Sequence, residues 1–428
     1  YFPTGILLLP VQSKPEFMKR FFRSALLLLS VLSTAGCNRP SDKGAGISDL
    51  QTRYWNNESV RKGLYVKNVP ATGVNAVSEA VICLAGREYH ATGVNCYGLF
   101  SYCLKDGGID LTDAYASLDI LKEQGVGVVR FNCGVFYSED PPAYTDHRDD
   151  YLAALRKVAA YAQQCEIGLI PSFFWNYSAV SLYYGEPYRC WGKAGSRTVG
   201  FLMRYTEDVV TALREYKSIF GWEFGNELNL QADLPNWQER FDTEDPANWT
   251  KGDDIHFAFR TFADIVRAKD PDSRMILSGN ATLRPSQYHQ YVENSWDTDD
   301  TGQYRAITNL FNPYPINTVT EHVYETGRKF SDCGKVSLDR QLREAMYAAR
   351  TLNKAYVVGE FAGVLQSEEA YRKYYDAFLD AGVQLTLLWN FALRGDVEHS
   401  FTATEPRGQY LFGLIREYNE KYARETGK

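Results

Sequence analysis

Short apolar runs recur along the chain at Tyr89 to Val94, Gly127 to Phe131, Gly168 to Phe173, Phe220 to Phe224, Met275 to Leu277, Thr318 to Tyr324, Ala355 to Val358 and Gln384 to Trp389. Runs this short and this rich in β-branched and aromatic residues predict strands. Between them the apolar positions fall at helical spacing. Leu152, Leu155, Ala159 and Ala162 share one helix face, as do Leu202, Tyr205, Val209, Leu213 and Tyr216, and Leu338, Leu342, Ala345 and Ala349. Gly125 and Gly382 are placed as helix C-caps, each leading into a strand. Eight strands alternating with helices predict an α/β fold, the (β/α)8 or TIM barrel. A doubly wound open sheet is the competing architecture, but no Gly-x-Gly-x-x-Gly turn follows the first strand. Ahead of that strand, Ala80 to Tyr89 alternates around Ala85-Gly86 as an N-terminal β-hairpin does, placed to plug the barrel floor.

The N-terminal pattern differs. Met18-Lys19-Arg20-Phe21-Phe22-Arg23 is basic, Ala25 to Leu32 is apolar, and Ser33-Thr34-Ala35-Gly36 precedes Cys37. That order predicts a lipoprotein-type signal peptide over 18–36, too short to span a bilayer, with Cys37 lipidated as the mature N-terminus. An ordinary cleaved signal peptide beside a chance cysteine is the alternative. Residues 1–17 read as upstream read-through, 37–50 as a polar, Gly-rich tether, and 51–428 as a single (β/α)8 domain. The expected location is extracytoplasmic, at a membrane held through the lipid anchor.

Hydrophobic residues make up 45% of the chain and charged ones 23%, enough for a large core. The net charge of −7 is diffuse and gives no basic surface for nucleic acid. Eight cysteines show neither CxxC nor Cys/His zinc spacing, so neither a metal nor a cofactor is expected; removing Cys37 leaves an odd number. A monomer is expected.

The chemistry concentrates at two strand ends. Gly221-Trp222-Glu223-Phe224-Gly225-Asn226-Glu227 is an aromatic strand that runs into an Asn-Glu pair, and Val357-Val358-Gly359-Glu360 is a second strand ending on a glutamate. Cleaving a glycosidic bond takes one carboxylic acid to protonate the leaving oxygen and one carboxylate to meet the charge growing on the sugar. Glu223 is the rival to Glu227. It lies four residues, about 13 Å, deeper along the strand and would be a buried structural carboxylate needing a cationic partner. Glu321, Glu325 and the clusters Asp297, Asp299, Asp300 and Asp146, Asp149, Asp150 read as solvated charges.

These residues resemble a clan A glycoside hydrolase, most similar to the family five cellulase and mannanase group, over nearly the whole barrel from Gly93-Val94-Asn95 to Trp389. The resemblance implies that Glu227, preceded by Asn226, is the acid/base and Glu360 the nucleophile. It places Arg130, His322 and Tyr324 around them and Trp389 beneath the sugar. Trp175 and Asn176 end strand three, where many cellulases of the group carry a His, which leaves β-mannan open beside β-glucan. The expected activity is retaining hydrolysis of a β-linked polysaccharide or oligosaccharide. Two other classes compete: a non-catalytic glycan-binding lipoprotein should have lost one carboxylate, and a metal-dependent hydrolase would want several strand-end His residues where only His322 is found.

Overall fold

The computed structural model describes residues 49–70, 79–105, 108–324, 327–362 and 367–426. The signal segment, Cys37, most of the tether and Glu325 lie outside the described residues. Eight parallel strands form one sheet: β1 Ala91–Asn95, β2 Val128–Val135, β3 Gly168–Phe174, β4 Gly221–Gly225, β5 Met275–Leu277, β6 Thr318–Val323, β7 Ala355–Phe361 and β8 Leu385–Leu388. Their order is 5-4-3-2-1-8-7-6. The barrel closes between β5 and β6 partly through side chains. Asn317 Oδ1 accepts the Ile276 N–H at 2.8 Å, and Thr318 Oγ1 donates to the Ile276 carbonyl at 3.0 Å.

Helices follow the strands: α1 Thr112–Glu123, α2 Arg148–Gln164, α3 Arg197–Leu213, α4 Gly252–Lys269, α5 Thr301–Thr308, α6 Leu338–Thr351, α7 Glu368–Ala381 and α8 Pro406–Thr426. Several begin where sequence supplies a cap. Ser196 and Ser337 accept the Val199 and Arg340 N–H groups, and Asp300 forms a capping box with Gln303. Each such cap is worth about 1 kcal/mol. Gly382 ends α7 in the left-handed region, as its position predicts. Tyr216 falls beyond the end of α3, so the fifth residue of that predicted face is not helical.

Two apolar clusters separate cleanly. One lies between strands and helices, where Phe224 of β4 meets Phe259 and Phe262 of α4. The other fills the lower barrel with Val128, Ile170, Met275, Leu277, Val357, Leu385 and Leu387. The chain before the barrel closes that floor. Strands Tyr65–Val69, Glu79–Leu84 and Arg87–Glu88 pair antiparallel, and Ile82, Leu84 and Tyr89 join the lower cluster. A helix, Asp49–Trp55, adds Tyr54 and Trp55, whose rings meet Phe220 at 5.7 and 5.9 Å. Gln51 Nε2 donates to the Gly127 carbonyl at 2.8 Å, and Lys217 Nζ to the Tyr54 carbonyl at 2.8 Å.

Two acidic readings are corrected. Glu321 is buried, because alternation along β6 turns it outward beneath α5, where Tyr304 and Tyr356 donate to it at 2.8 and 3.0 Å. Asp299 is also buried, accepting from the N–H groups of Tyr288 and His289 and lying 2.7 Å from His289 Nδ1. Asp146, Asp149, Asp150 and Asp297 are exposed, as expected. Among the described residues all seven cysteines from Cys83 to Cys333 are unpaired thiols.

Candidate active site

The inward faces of the strands change character toward their C-terminal ends. On β2, Val128 belongs to the floor while Arg130, two residues on, enters the mouth. Its guanidinium is fully buried and spends its donors on four acceptors. Nε donates to Glu223 Oε1 at 2.7 Å, Nη1 to Glu360 Oε1 at 2.6 Å and to Asn95 Oδ1 at 2.9 Å, and Nη2 to Asn226 Oδ1 at 2.9 Å. Glu223 is thus the buried carboxylate with a cationic partner that its depth implies.

Glu360 does not follow from simple alternation. Val357 faces the interior, so a regular strand would turn Gly359 inward and Glu360 outward. The pairing of β6 with β7 instead jumps from Glu321 opposite Val358 to His322 opposite Glu360, leaving Gly359 as the extra residue of a bulge. The bulge re-aims Glu360 into the mouth. A Cβ at Gly359 would come within 3.0 Å of both His322 Nε2 and Thr320 Cγ2, so the tight crossing suits glycine.

Glu227 lies just past β4 at φ 55, a left-handed conformation that costs a non-glycine residue on the order of 1–2 kcal/mol. Its N–H donates to the Gly279 carbonyl at 2.8 Å. Gly279 is itself at φ 71, and a Cβ there would meet the Gly225 carbonyl oxygen at 1.8 Å. The turn brings the Glu227 carboxyl against His322, with the side chain 21% exposed against 5% for Glu360.

The two carboxyls and His322 form one group whose facing atoms all lie within 4.8 Å of each other. His322 Nδ1 lies 2.8 Å from Glu227 Oε1 and 3.5 Å from Glu360 Oε2. Tyr324 Oη donates to Glu360 Oε2 at 2.5 Å. The same three residues could ligate a cation by distance alone. However, both oxygens of Glu360 already accept from Arg130 and Tyr324, and a guanidinium beside the group opposes a second positive charge.

The acid–base character differs across the pair. Burial pushes Glu227 up to about 7, against the weaker downward pull of Arg130. The cause is burial rather than a neighbouring negative charge. Burial also raises Glu360, while His322, Arg130 and the Tyr324 hydrogen bond work against the rise. Burial lowers His322 to about 4, so its imidazole is neutral at pH 7.

The aromatic residues line one side. Trp389 stacks on Trp175 with centroids 6.0 Å apart, and the Arg130 guanidinium lies 4.4 Å from the centroid of the Trp175 ring. Trp175 is buried against Arg130, whereas Trp389 stays half-open to the mouth. Asn176 stands apart from the carboxyl pair; its side-chain oxygen caps the helix Tyr177–Tyr184 by accepting from Ser178. Asn95 received no role from sequence. It accepts from Arg130 and donates to the Gly359 carbonyl at 3.0 Å, tying the guanidinium to the bulge. A polar residue ending an otherwise apolar strand was the available signal.

Comparison with known proteins agrees with this geometry. The family model described as Cellulase (glycosyl hydrolase family 5) matches residues 89–392. No curated protein matches the chain in sequence. Among solved structures, an endo-1,4-beta-mannanase from Rhizomucor miehei is similar with a TM-score of 0.59 and 14% identity, covering 83% of this chain and 99% of that one. A beta-mannanase from the blue mussel Mytilus edulis is similar with a TM-score of 0.53 and 13% identity, covering 84% and 96%. An endo-1,4-beta-D-mannanase from Thermotoga petrophila RKU-1 gives 0.51 and 15%, covering 78% and 100%. At these identities the structural likeness speaks for the barrel fold.

Proposed function

The chain belongs to glycosyl hydrolase family 5, and from that premise we propose that it hydrolyses a β-linked glycan, β-mannan or β-glucan, by double displacement with retention. The observation that carries this reading is the pair of carboxyls, Glu360 buried and Glu227 partly open to the mouth, with facing oxygens within 4.8 Å and opposite surroundings. A gap of that size suits direct attack by a carboxylate and leaves no space for a water between the pair and the sugar.

Glu360 attacks the anomeric carbon, its charge supported by Arg130 and its free rotation removed by Tyr324. Glu227, protonated below about pH 7, gives its proton to the departing glycosidic oxygen as that bond breaks. The sugar is then an ester of Glu360. Water enters where the leaving group stood, loses a proton to the Glu227 carboxylate, and attacks the same carbon from the opposite side to Glu360. Two inversions return the original configuration and regenerate both side chains. Trp389 offers a flat surface to the apolar face of the pyranose. The non-catalytic alternative is not favoured, since both carboxyls and the donors around them are in place.

The similar structures named above are β-mannanases, which puts β-mannan first among substrates to try and β-glucan second. Glu227→Ala tests the assignment. The variant should keep activity on dinitrophenyl glycosides, whose leaving group needs no proton, and azide should restore turnover as a β-glycosyl azide. An α-glycosyl azide, or no rescue together with lost dinitrophenyl activity, would reject the acid/base role.

The basic, apolar and small-residue order from Met18 to Gly36 supports a further proposal, that Cys37 carries a lipid and holds the enzyme at a membrane outside the cytoplasm. Full-length protein should partition with membranes and Cys37→Ser should not. A membrane-bound Cys37→Ser protein would reject the anchor.

A further inference from the structure

The stretch after β5, residues 278–284, has no regular secondary structure, yet Ser278, Gly279, Asn280, Ala281 and Leu283 are buried. Buried backbone outside a helix or sheet has to find its hydrogen bonds elsewhere, and here it finds them on two sides. Toward β4, the Gly279 carbonyl accepts the Glu227 N–H, and the fully buried Asn229 side chain closes a ring of two bonds with Ala281. Asn229 Nδ2 donates to the Ala281 carbonyl at 3.1 Å, and its Oδ1 accepts the Ala281 N–H at 3.0 Å. Arg284 reaches back along the same turn, donating to the Leu230 carbonyl at 2.8 Å and to that of Ala232. Toward β6, Thr282 Oγ1 donates to the His322 carbonyl at 2.8 Å. From behind, Arg328 donates to the carbonyls of Leu283 and Arg284, and Asn280 Nδ2 to that of Phe311, which fixes the stretch itself.

The two residues joined in this way, Glu227 and His322, are the pair whose side chains meet at 2.8 Å. Glu227 also stands in the left-handed backbone region, which it keeps only while its surroundings hold it there. Release would let the turn relax and carry the carboxyl away from His322 and from the bond to be cleaved, and proton transfer fails beyond hydrogen-bond reach. Glu360 is held by a separate set, Arg130 and Tyr324 on its oxygens and Asn95 on the Gly359 carbonyl. We propose that residues 278–284 form a splint between the acid/base turn and β6, with Asn229, Thr282 and Arg284 as positioning residues that keep Glu227 on the glycosidic oxygen. The inference rests on the retaining-glycosidase reading. These three side chains bond to the backbone around Glu227 and His322, so they act on where the proton is delivered and leave the attack by Glu360 in place.

The test compares phenyl and 2,4-dinitrophenyl β-glycosides of mannobiose and of cellobiose. Phenol leaves only with a proton, dinitrophenolate leaves without one, and kcat/KM reports the steps up to that departure. Asn229→Ala should lower kcat/KM on the phenyl glycoside by roughly 10- to 100-fold and hold it within about 3-fold of wild type on the dinitrophenyl one. Thr282→Val, which removes a single bond, should show the same split at roughly 3- to 10-fold. Near-ultraviolet circular dichroism checks the fold of each variant, and if Asn229→Ala does not fold, Thr282→Val and Arg284→Met decide. Folded variants that lose both substrates equally, or neither, overturn the splint and leave the glycosidase reading standing. Glu227→Ala is the reference: if it too falls equally on both substrates, the acid/base reading fails and the splint with it.

Discussion

The floor and the mouth of the barrel are made by the same eight strands and bury opposite kinds of side chain. At the floor, Phe220 packs against Tyr54, Trp55 and Tyr89 within 6.0 Å, surrounded by Met275, Leu277, Val357 and Leu385. Burial there stabilises at about 25 cal/mol per Å² of apolar surface and does not respond to pH. A few residues higher the interior holds Arg130, Glu223, His322 and Glu360, all buried. Removing the Arg130, Glu223 and Glu360 charges from water costs several kcal/mol per ion, and their pairing returns only part of it. The contrast teaches that the floor supplies the stability which lets the mouth keep groups chosen for reactivity.

That division can be broken from either end. At the floor, Phe220→Ala removes the ring on which three others converge and should cost about 3–5 kcal/mol. Thermal unfolding would read that loss, while the pH profile of kcat/KM for the folded variant stays where it was. A shifted profile would mean that the two ends are not separable.

At the mouth the expected sign is reversed. Glu227 is held up at about 7 against an ordinary 4.5, so the folded state keeps a proton that the unfolded chain has lost. Its contribution is fully present below pH 4.5 and is lost as pH rises through 7. Glu227→Gln avoids that loss. It should be more stable than wild type at pH 8 by up to about 3 kcal/mol, with no such gain at pH 4, measured by denaturant unfolding at both values.

A smaller effect sharpens the roles around Glu360. Tyr324→Phe removes one donor to the carboxylate, so protonation becomes easier and the acidic limb of kcat/KM should move up by less than one pH unit. Arg130→Met removes a charge and should move it further, provided the variant folds with Glu223 left unpaired. An acidic limb unmoved in both variants would separate these residues from the state of Glu360.

Much of this was legible in sequence for a physical reason. Barrel strands are buried on both faces and therefore read as short apolar runs, and all eight predicted runs are strands here. The depth of Glu223 and its need for a cation followed from the rise per residue alone. The bulge at Gly359 was not legible, because it depends on register against β6 rather than on β7's own pattern. Glu321 and Asp299 were misread for a related reason: their partners, Tyr304 and Tyr356 for one and the Tyr288 and His289 N–H groups for the other, lie on separate helices or strands. Asn95, Gln51 and the floor helix Asp49–Trp55 likewise act through contacts distant in sequence.

The central claim is that Glu360 becomes covalently attached to the sugar while Glu227 only moves protons. The direct measurement is the mass of peptides from enzyme inactivated with a 2-deoxy-2-fluoro β-mannosyl or β-glucosyl fluoride, in which the fluorine slows hydrolysis of the ester. One fluorosugar should be found on the peptide containing Glu360, with fragmentation placing it on that residue and none on Glu227. A sugar on Glu227, on Glu223, or on no residue while the enzyme turns over normal substrate with inversion would contradict the account.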